Sequence, residues 1–355
     1  MKKCDKIFTG LICLFFLGMS LLYAVLPSRA FSPLEKRYLT QAPTLTVPNL
    51  LSGGFGDEVE NYMADQMPGR DWFVGLNAYY ERALGLQRSK DIWVVDGKLV
   101  RRPVQADDDA LTRRAGVVER FAKNQSVPVT LSLIPSAGWA AGDGSYQDEA
   151  LIDAVYGAAQ VEHLSLTDTF RGRPELFYNT DHHWTSRGAF EAYRELMNAL
   201  DREVEEQRYT VEAYPHFRGA NYASSCLWLT GEETLEMWHA GEITVNPGTE
   251  QAHEGVFYPA QLDSFDPYTV FLGGNQPLVE LYNPAGSGRL LVIRDSFSNC
   301  LGGFLAQSYE QVTLVDLRYH KRPVSELLAE REYDRVLILY SLENFLTDQN
   351  LPLLR

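Results

Sequence analysis

The sequence has no basic stripe, no Cys-x-x-Cys pair, no internal repeat and no low-complexity tract. Each absence removes a class of protein. The formal net charge is −15, so the surface repels a polyanion, and without clustered Lys and Arg no nucleic-acid partner is expected. Without paired thiol ligands, structural zinc is not expected, and no cofactor is implied. Cysteine is scarce, with four in the chain. Cys4 and Cys13 lie in the N-terminal segment, which leaves Cys226 and Cys300 as either one disulfide or two unpaired thiols.

What is present begins with a long apolar run. Ile7 to Leu26 is 20 residues without a charge, preceded by Lys2, Lys3 and Lys6. About 20 apolar residues suffice to cross a bilayer as a helix, and the lysines favour a cytoplasmic N-terminus with the rest exported. A cleaved signal peptide competes, because Ser28-Arg29-Ala30 loosely fits a cleavage site. An uncleaved single-pass anchor in the cell membrane is the favoured reading, since the run exceeds a usual signal core. Residues 1–30 are therefore assigned to the anchor or signal segment. Residues 31–110 are assigned to a stalk with a helical and strand part, and 111–355 to an α/β domain.

The chain has 355 residues, of which 45% are hydrophobic, enough for one large domain or two modest ones. Helical spacing covers Glu58 to Leu86, broken at Pro68-Gly69, and Ile92 to Val95 reads as a strand. Strands are then expected at Val127–Ile134, Val161–Leu166, Leu290–Ile293, Val312–Val315 and Arg335–Tyr340. Helices are expected at Val117–Lys123, over Ala189–Leu200, through Phe304 and Leu305, and near Val324–Glu330. The alternation implies a mostly parallel sheet with helices on both faces. An irregular insertion at about 205–285 is expected to lie over the Ser296 end of the sheet as a lid.

In such sheets functional residues gather at the carboxyl ends of strands. Two segments fit that rule. Thr180-Asp181-His182-His183-Trp184-Thr185 places an acid and two imidazoles just before a helix. Leu290 to Ser298 is an apolar strand ending in Asp295-Ser296. Serine needs a base in reach and a third group to orient that base. Ser296 is the candidate nucleophile, His183 the base and Asp181 the orienter. In an extended segment Asp181 and His183 point one way and His182 the other. Competing readings are that Asp295 and Ser296 cap the following helix, that the histidines are satisfied core residues, or that Asp181, His182 and His183 hold a metal. No metal is assigned. Asn299 and Asn344 are candidate oxyanion donors, and Arg294 could hold an anionic group. Trp184 reads as core or pocket wall, and Tyr222, Trp228 and Trp238 as packing or sugar-stacking residues.

Asp181-His182-His183-Trp184 also carries a resemblance. The chain resembles the DHHW protein family. The likeness includes Leu34 to Leu39, Tyr62 to Asp71, the Asp295-Ser296 segment, Val315 to Tyr319 and Val336 to Tyr340. The layout is similar to the SGNH-like O-acetyltransferases that modify alginate. That resemblance implies an SGNH-hydrolase-like (flavodoxin-like) fold with a triad of Asp181, His183 and Ser296. It implies an acyl donor, a glycan acceptor and a membrane-bound O-acyltransferase as partner. This chain departs by having Arg294 where glycine usually precedes Asp-Ser, and by lacking identifiable glycine and asparagine oxyanion blocks. Two functions are therefore expected to compete. One is a membrane-tethered, extracytoplasmic serine O-acyltransferase or esterase acting on envelope or exopolysaccharide O-acetyl groups. The other is a non-catalytic glycan-binding or assembly subunit.

Overall fold

The computed structural model describes residues 3–32, 37–200, 202, 204, 208–248 and 251–355. Part of the Leu34–Leu39 motif falls outside the described residues. The chain divides into two compact units: Met1–Lys90 with Ala223–Leu229, and Asp91–Tyr222 with Thr230–Arg355.

The first unit opens with α1 (Lys3–Val25). Its stretch Asp5–Val25 is long and apolar enough to cross a membrane and is not buried by the protein. The expected stalk contains a short antiparallel pair, Phe31–Ser32 with Arg37–Tyr38, and a helix at Val47–Ser52 whose first turn is capped by Thr46. Then come α2 (Gly54–Asp65) and α3 (Arg70–Ala83), separated as Pro68-Gly69 predicts. Trp228 packs on the small side of α3, and a Cβ at Gly75 would lie 2.3 Å from its ring.

The second unit starts with a hairpin, β1 (Ile92–Val95) and β2 (Lys98–Arg101). This hairpin, within the 31–110 stretch, belongs to the second unit. The cause is packing: the buried Lys98 ammonium donates to Phe177 O at 2.9 Å and Asn179 Oδ1 at 2.7 Å. Next are α4 (Asp108–Lys123), β3 (Val129–Ile134), α5 (Asp148–Ala159) and β4 (Glu162–His163). Helix α4 is capped by Asp107 and buries Leu111, Ala115, Val118 and Phe121, which share one helical face. The expected strand Val161–Leu166 shortens to β4. It does not lead straight into the Asp181 segment, because helical turns at Thr167–Phe170 and Pro174–Leu176 intervene.

Helix α6 (Ser186–Ala199) follows, with its Gly188 amide held by Thr185 Oγ1 at 3.0 Å. The insertion is more ordered than expected. It forms a ribbon of β5 (Thr210–Phe217) and β6 (Glu233–His239), then β7 (Thr244–Asn246), β8 (His253–Glu254) and β9 (Leu278–Tyr282). The chain closes with β10 (Arg289–Arg294), α7 (Ser298–Ser308), β11 (Gln311–Val315), α8 (Val324–Glu330), β12 (Arg335–Ser341) and α9 (Leu342–Thr347).

Eight of the described strands form one sheet in the order β8-β7-β9-β11-β10-β12-β3-β4. The run from β11 to β4 is parallel, while β7, β8 and β9 extend it antiparallel. Leu290, Leu291, Val292 and Ile293 of β10 are all fully buried. A strand apolar at every position must be covered on both faces, and its side chains do enter two separate cores. The insertion also contributes to the packing of the sheet. Val245, Leu281, Tyr268 and Phe271 are buried in one of those cores.

Candidate active site

The base arrives on a closed loop. An isolated bridge pairs Phe177 with Trp184, Tyr178 N donates to His183 O at 3.2 Å and Thr185 N to Leu176 O at 2.8 Å. Inside the loop Asp181 Oδ1 accepts from His183 N at 2.9 Å. This short side-chain-to-backbone turn replaces the expected extended geometry and corrects the direction of His182. Its ring lies 3.9 Å from that of His183 instead of pointing away.

The insertion holds the loop from outside. Glu233 accepts from Asn179 N and Thr180 N, both at 2.7 Å. Gly219 N donates to Thr180 Oγ1 at 3.0 Å, and Ala220 N donates to Asp181 Oδ2 at 2.6 Å. A Cβ at Gly219 would sit 2.2 Å from Asp181 Cβ, so only glycine permits this approach. Burial alone would raise the Asp181 carboxyl. The imidazoles of His182 and His183, with hydrogen bonds from His183 and the Ala220 amide, outweigh it and hold the group well below the usual carboxylate range.

The hydroxyl comes from the end of β10. His183 Nδ1 lies 2.6 Å from Asp181 Oδ1, and Nε2 lies 2.8 Å from Ser296 Oγ. With a carboxylate facing Nδ1, that nitrogen carries the proton, and Nε2 accepts from the serine. Tyr268 lies flat on the His183 ring at 3.9 Å and 3°. The Ser296 hydroxyl does not cap α7. Asp295 does the anchoring: Oδ1 accepts from Phe297 N at 3.0 Å. Its Oδ2 accepts from Ser341 N at 2.8 Å, Ser341 Oγ at 2.7 Å and Asn344 Nδ2 at 2.8 Å. Asp295 thus ties the ends of the neighbouring parallel strands β10 and β12.

The structure brings Asp181, His183 and Ser296 together and sends the other candidates elsewhere. Asn344 is committed to Asp295. Asn299 accepts from Arg294 at 2.6 Å and donates to Asn275 Oδ1 at 3.1 Å. Arg294 is fully buried and also bonds Asp295 O and Gln276 O, each at 3.3 Å. It braces the strand end and is not open to an anion. Trp184 is fully buried, donating to Phe297 O at 3.1 Å. Tyr222 lies under the Arg218 guanidinium at 4.9 Å. Trp238 joins a cluster with Phe190, Tyr209 and Phe304, and Trp228 pairs with Trp72. Cys226 and Cys300 are both buried and are not joined in a disulfide. Sequence reasoning missed Gly219, Ala220, Glu233 and Tyr268.

A cavity of about 30 Å³ opens beside the site, lined by His182, Phe297, Ser136, Gly138 and Ser341 among others. A larger one of about 570 Å³ shares Glu343 with it and is lined by Trp93, Arg102 and Gln147. The potential ligand atoms of Asp181, His182 and His183 all fall within 4.8 Å of one another. These are suitable donors for a transition metal. A metal on His183 would have to displace Asp181 or Ser296, because each already engages one ring nitrogen.

A family model described as the SGNH hydrolase-like domain of the acetyltransferase AlgX matches residues 141–232. That stretch includes Asp181–Trp184 and ends before Ser296. No curated protein matches by sequence. Among solved structures, Bacillus cereus PatB1 with a sulfonyl adduct aligns at TM-score 0.62 and 21% identity, over 72% of this chain and 96% of that one. A DHHW family protein from Eubacterium siraeum aligns at TM-score 0.62 and 18% identity, over 74% and 96%. A second structure of PatB1 aligns at TM-score 0.60 and 20% identity, over 74% and 98%. The fold is therefore the mixed α/β architecture of the SGNH hydrolase-like class. Within that class its neighbours include a DHHW family protein, as the motif order implied.

Proposed function

We propose that the protein is a membrane-tethered, extracytoplasmic serine O-acyltransferase or esterase acting on glycan O-acetyl groups. The observation that carries this reading is the Asp181–His183–Ser296 chain at 2.6 and 2.8 Å. Support also comes from the acetyltransferase named in the matching family model and from the apolar helix α1.

In this mechanism His183 Nε2 takes the Ser296 proton as Oγ attacks the acyl carbonyl of the donor. The tetrahedral intermediate collapses, the donor oxygen leaves with the proton from His183, and an acyl-Ser296 ester remains. A glycan hydroxyl or water then loses its proton to His183 and attacks that ester; the bond from Ser296 Oγ to the acyl carbon breaks, and Oγ takes the proton back from His183. Asp181 keeps Nδ1 protonated and stabilises the imidazolium. The amides of Phe297, Ser298 and Asn299 already bond Asp295 and Ser296, so the oxyanion is assigned to the Ser296 amide. The small cavity accepts the acyl group, and His182 lines it.

A chromogenic acetyl ester tests the reading, with mass spectrometry for acetyl on Ser296. Ser296→Ala and His183→Ala should each lower kcat by about 10⁴-fold or more while the protein stays folded. Turnover that persists in Ser296→Ala would sink the proposal. The second reading, a glycan-holding subunit without catalysis, draws on the commitment of Asn299 and Asn344 to structural bonds. It expects no turnover and no labelling from folded wild-type protein.

A further inference from the structure

Helix α3 wears its apolar side outward. Gly75 and Ala78 face inward, while Trp72, Leu76, Tyr80 and the following Leu84 are exposed at 69, 62, 63 and 63%. Phe73 adds to them at 42%. At about 100° per residue these positions fall in a stripe about 120° wide. A soluble helix buries such a stripe, and a contiguous exposed one marks a contact surface.

The same unit shows what the surface meets. The end of α1 and the residues just after it bond directly to α2 and α3. Tyr23 Oη donates to Met63 O. Ser28 Oγ meets Tyr62 Oη at 2.9 Å. Arg29 N donates to Gln66 Oε1 at 2.8 Å, and the Arg29 guanidinium pairs with Asp71 at 2.9 Å. Tyr23 lies inside the apolar span Asp5–Val25. Helices α2 and α3 are thereby fastened where the chain leaves that span. A stripe of Trp, Tyr, Phe and Leu at that height has the composition of a membrane-interface face.

We propose that α3 lies on the outer leaflet as a second membrane contact, with Trp72, Leu76, Tyr80 and Leu84 inserted among the lipid headgroups. This rests on reading α1 as an uncleaved anchor. Between residues 54 and 86 there are six acidic and two basic side chains, so the attraction is apolar and not electrostatic. Zwitterionic lipid suffices, and salt has little effect.

The experiment uses the full chain in phosphatidylcholine nanodiscs, with Cys4 and Cys13 changed to serine. A fluorophore is attached to Leu76→Cys, Tyr80→Cys or Arg82→Cys, the last on the opposite side of α3. Lipids carrying a spin label near the headgroup should quench the first two probes and spare the third, equally in low and high salt. Protein that stays with the discs while no probe is quenched overturns the proposal, leaves α1 as an anchor, and leaves the stripe to a protein partner. Protein that leaves the discs overturns the anchor and this proposal together. None of these outcomes depends on Ser296 chemistry.

Discussion

The nucleophile and the base are held by different kinds of structure. Ser296 stands on a strand end fixed by regular parallel pairing on both sides, with Ile293 opposite Val315 and Ile338. Asp295 then locks that end to Ser341 through the backbone and the side chain. His183 stands on an irregular loop whose geometry depends on contacts from Gly219, Ala220, Glu233 and Tyr268. One side is specified by a ladder with local signals. The other is specified by single contacts across long sequence separations, so a small change there should cost activity before stability.

The comparison breaks most severely at Asp181. Asp181→Asn removes the acceptor for His183 Nδ1–H and allows the wrong tautomer, so kcat should fall about 10⁴-fold. Stability adds a pH signature. The folded carboxyl is held below its ordinary value, so its contribution is fully present above the unfolded value of about 4. It is lost as pH falls through the lower folded value. Wild type should therefore exceed Asp181→Asn in Tm at neutral pH, with the gap closing in strong acid. A gap that widens on acidification would contradict an ionised Asp181.

Gly219→Ala sharpens the contrast by pushing on the loop without removing a hydrogen-bonding group. The new methyl would meet Asp181 Cβ at 2.2 Å and Oδ2 at 2.3 Å. A displacement of this kind costs about 10²-fold in rate, with little change in denaturant midpoint. Unchanged kcat would mean that the Asp181 position is not set by this approach.

Ser341→Ala probes the strand side. Asp295 loses one bond from a hydroxyl and keeps those from Ser341 N and Asn344. The expected cost is about 1–3 kcal/mol of stability, read as a lower Tm. The rate should change less than about tenfold, since strand register still carries Ser296. A larger rate loss than that of Gly219→Ala would reverse the comparison.

The same division explains what the sequence made legible. Leu290 to Ile293 is apolar at every position, so its burial and the Asp295-Ser296 strand end could be read from local pattern. Helices α4 and α6 were legible from spacing, whereas Asp181 and His183 were legible as residue types and meet through a turn, not through the expected extended spacing. Gly219, Ala220 and Tyr268 carry no local signal, because their meaning depends on a loop that lies far away in sequence. His182 was misdirected for a related reason. A side-chain-to-backbone bond curled the segment, and alternation holds only in a strand. Asn299 and Asn344 have the chemistry of oxyanion donors, yet the Asn344 amide donates to the Asp295 carboxylate and the Asn299 amide to Asn275.

The mildest test lies beneath His183. The Tyr268 ring covers the imidazole, and among the described residues its buried hydroxyl has no hydrogen-bond partner. Burial raises the phenol well above its ordinary value, with the Cys300 thiol and Tyr178 adding to the effect, so it stays neutral. Tyr268→Phe keeps the stacked ring and removes an unsatisfied polar atom. Stability should stay within about 1 kcal/mol of wild type or rise slightly, with an unchanged pH–rate profile. Tyr268→Ala should lose the support and lower kcat/KM by about tenfold or more. If Phe fails as badly as Ala, the hydroxyl takes part in the chemistry, and the base side depends on a polar contact and not on packing alone.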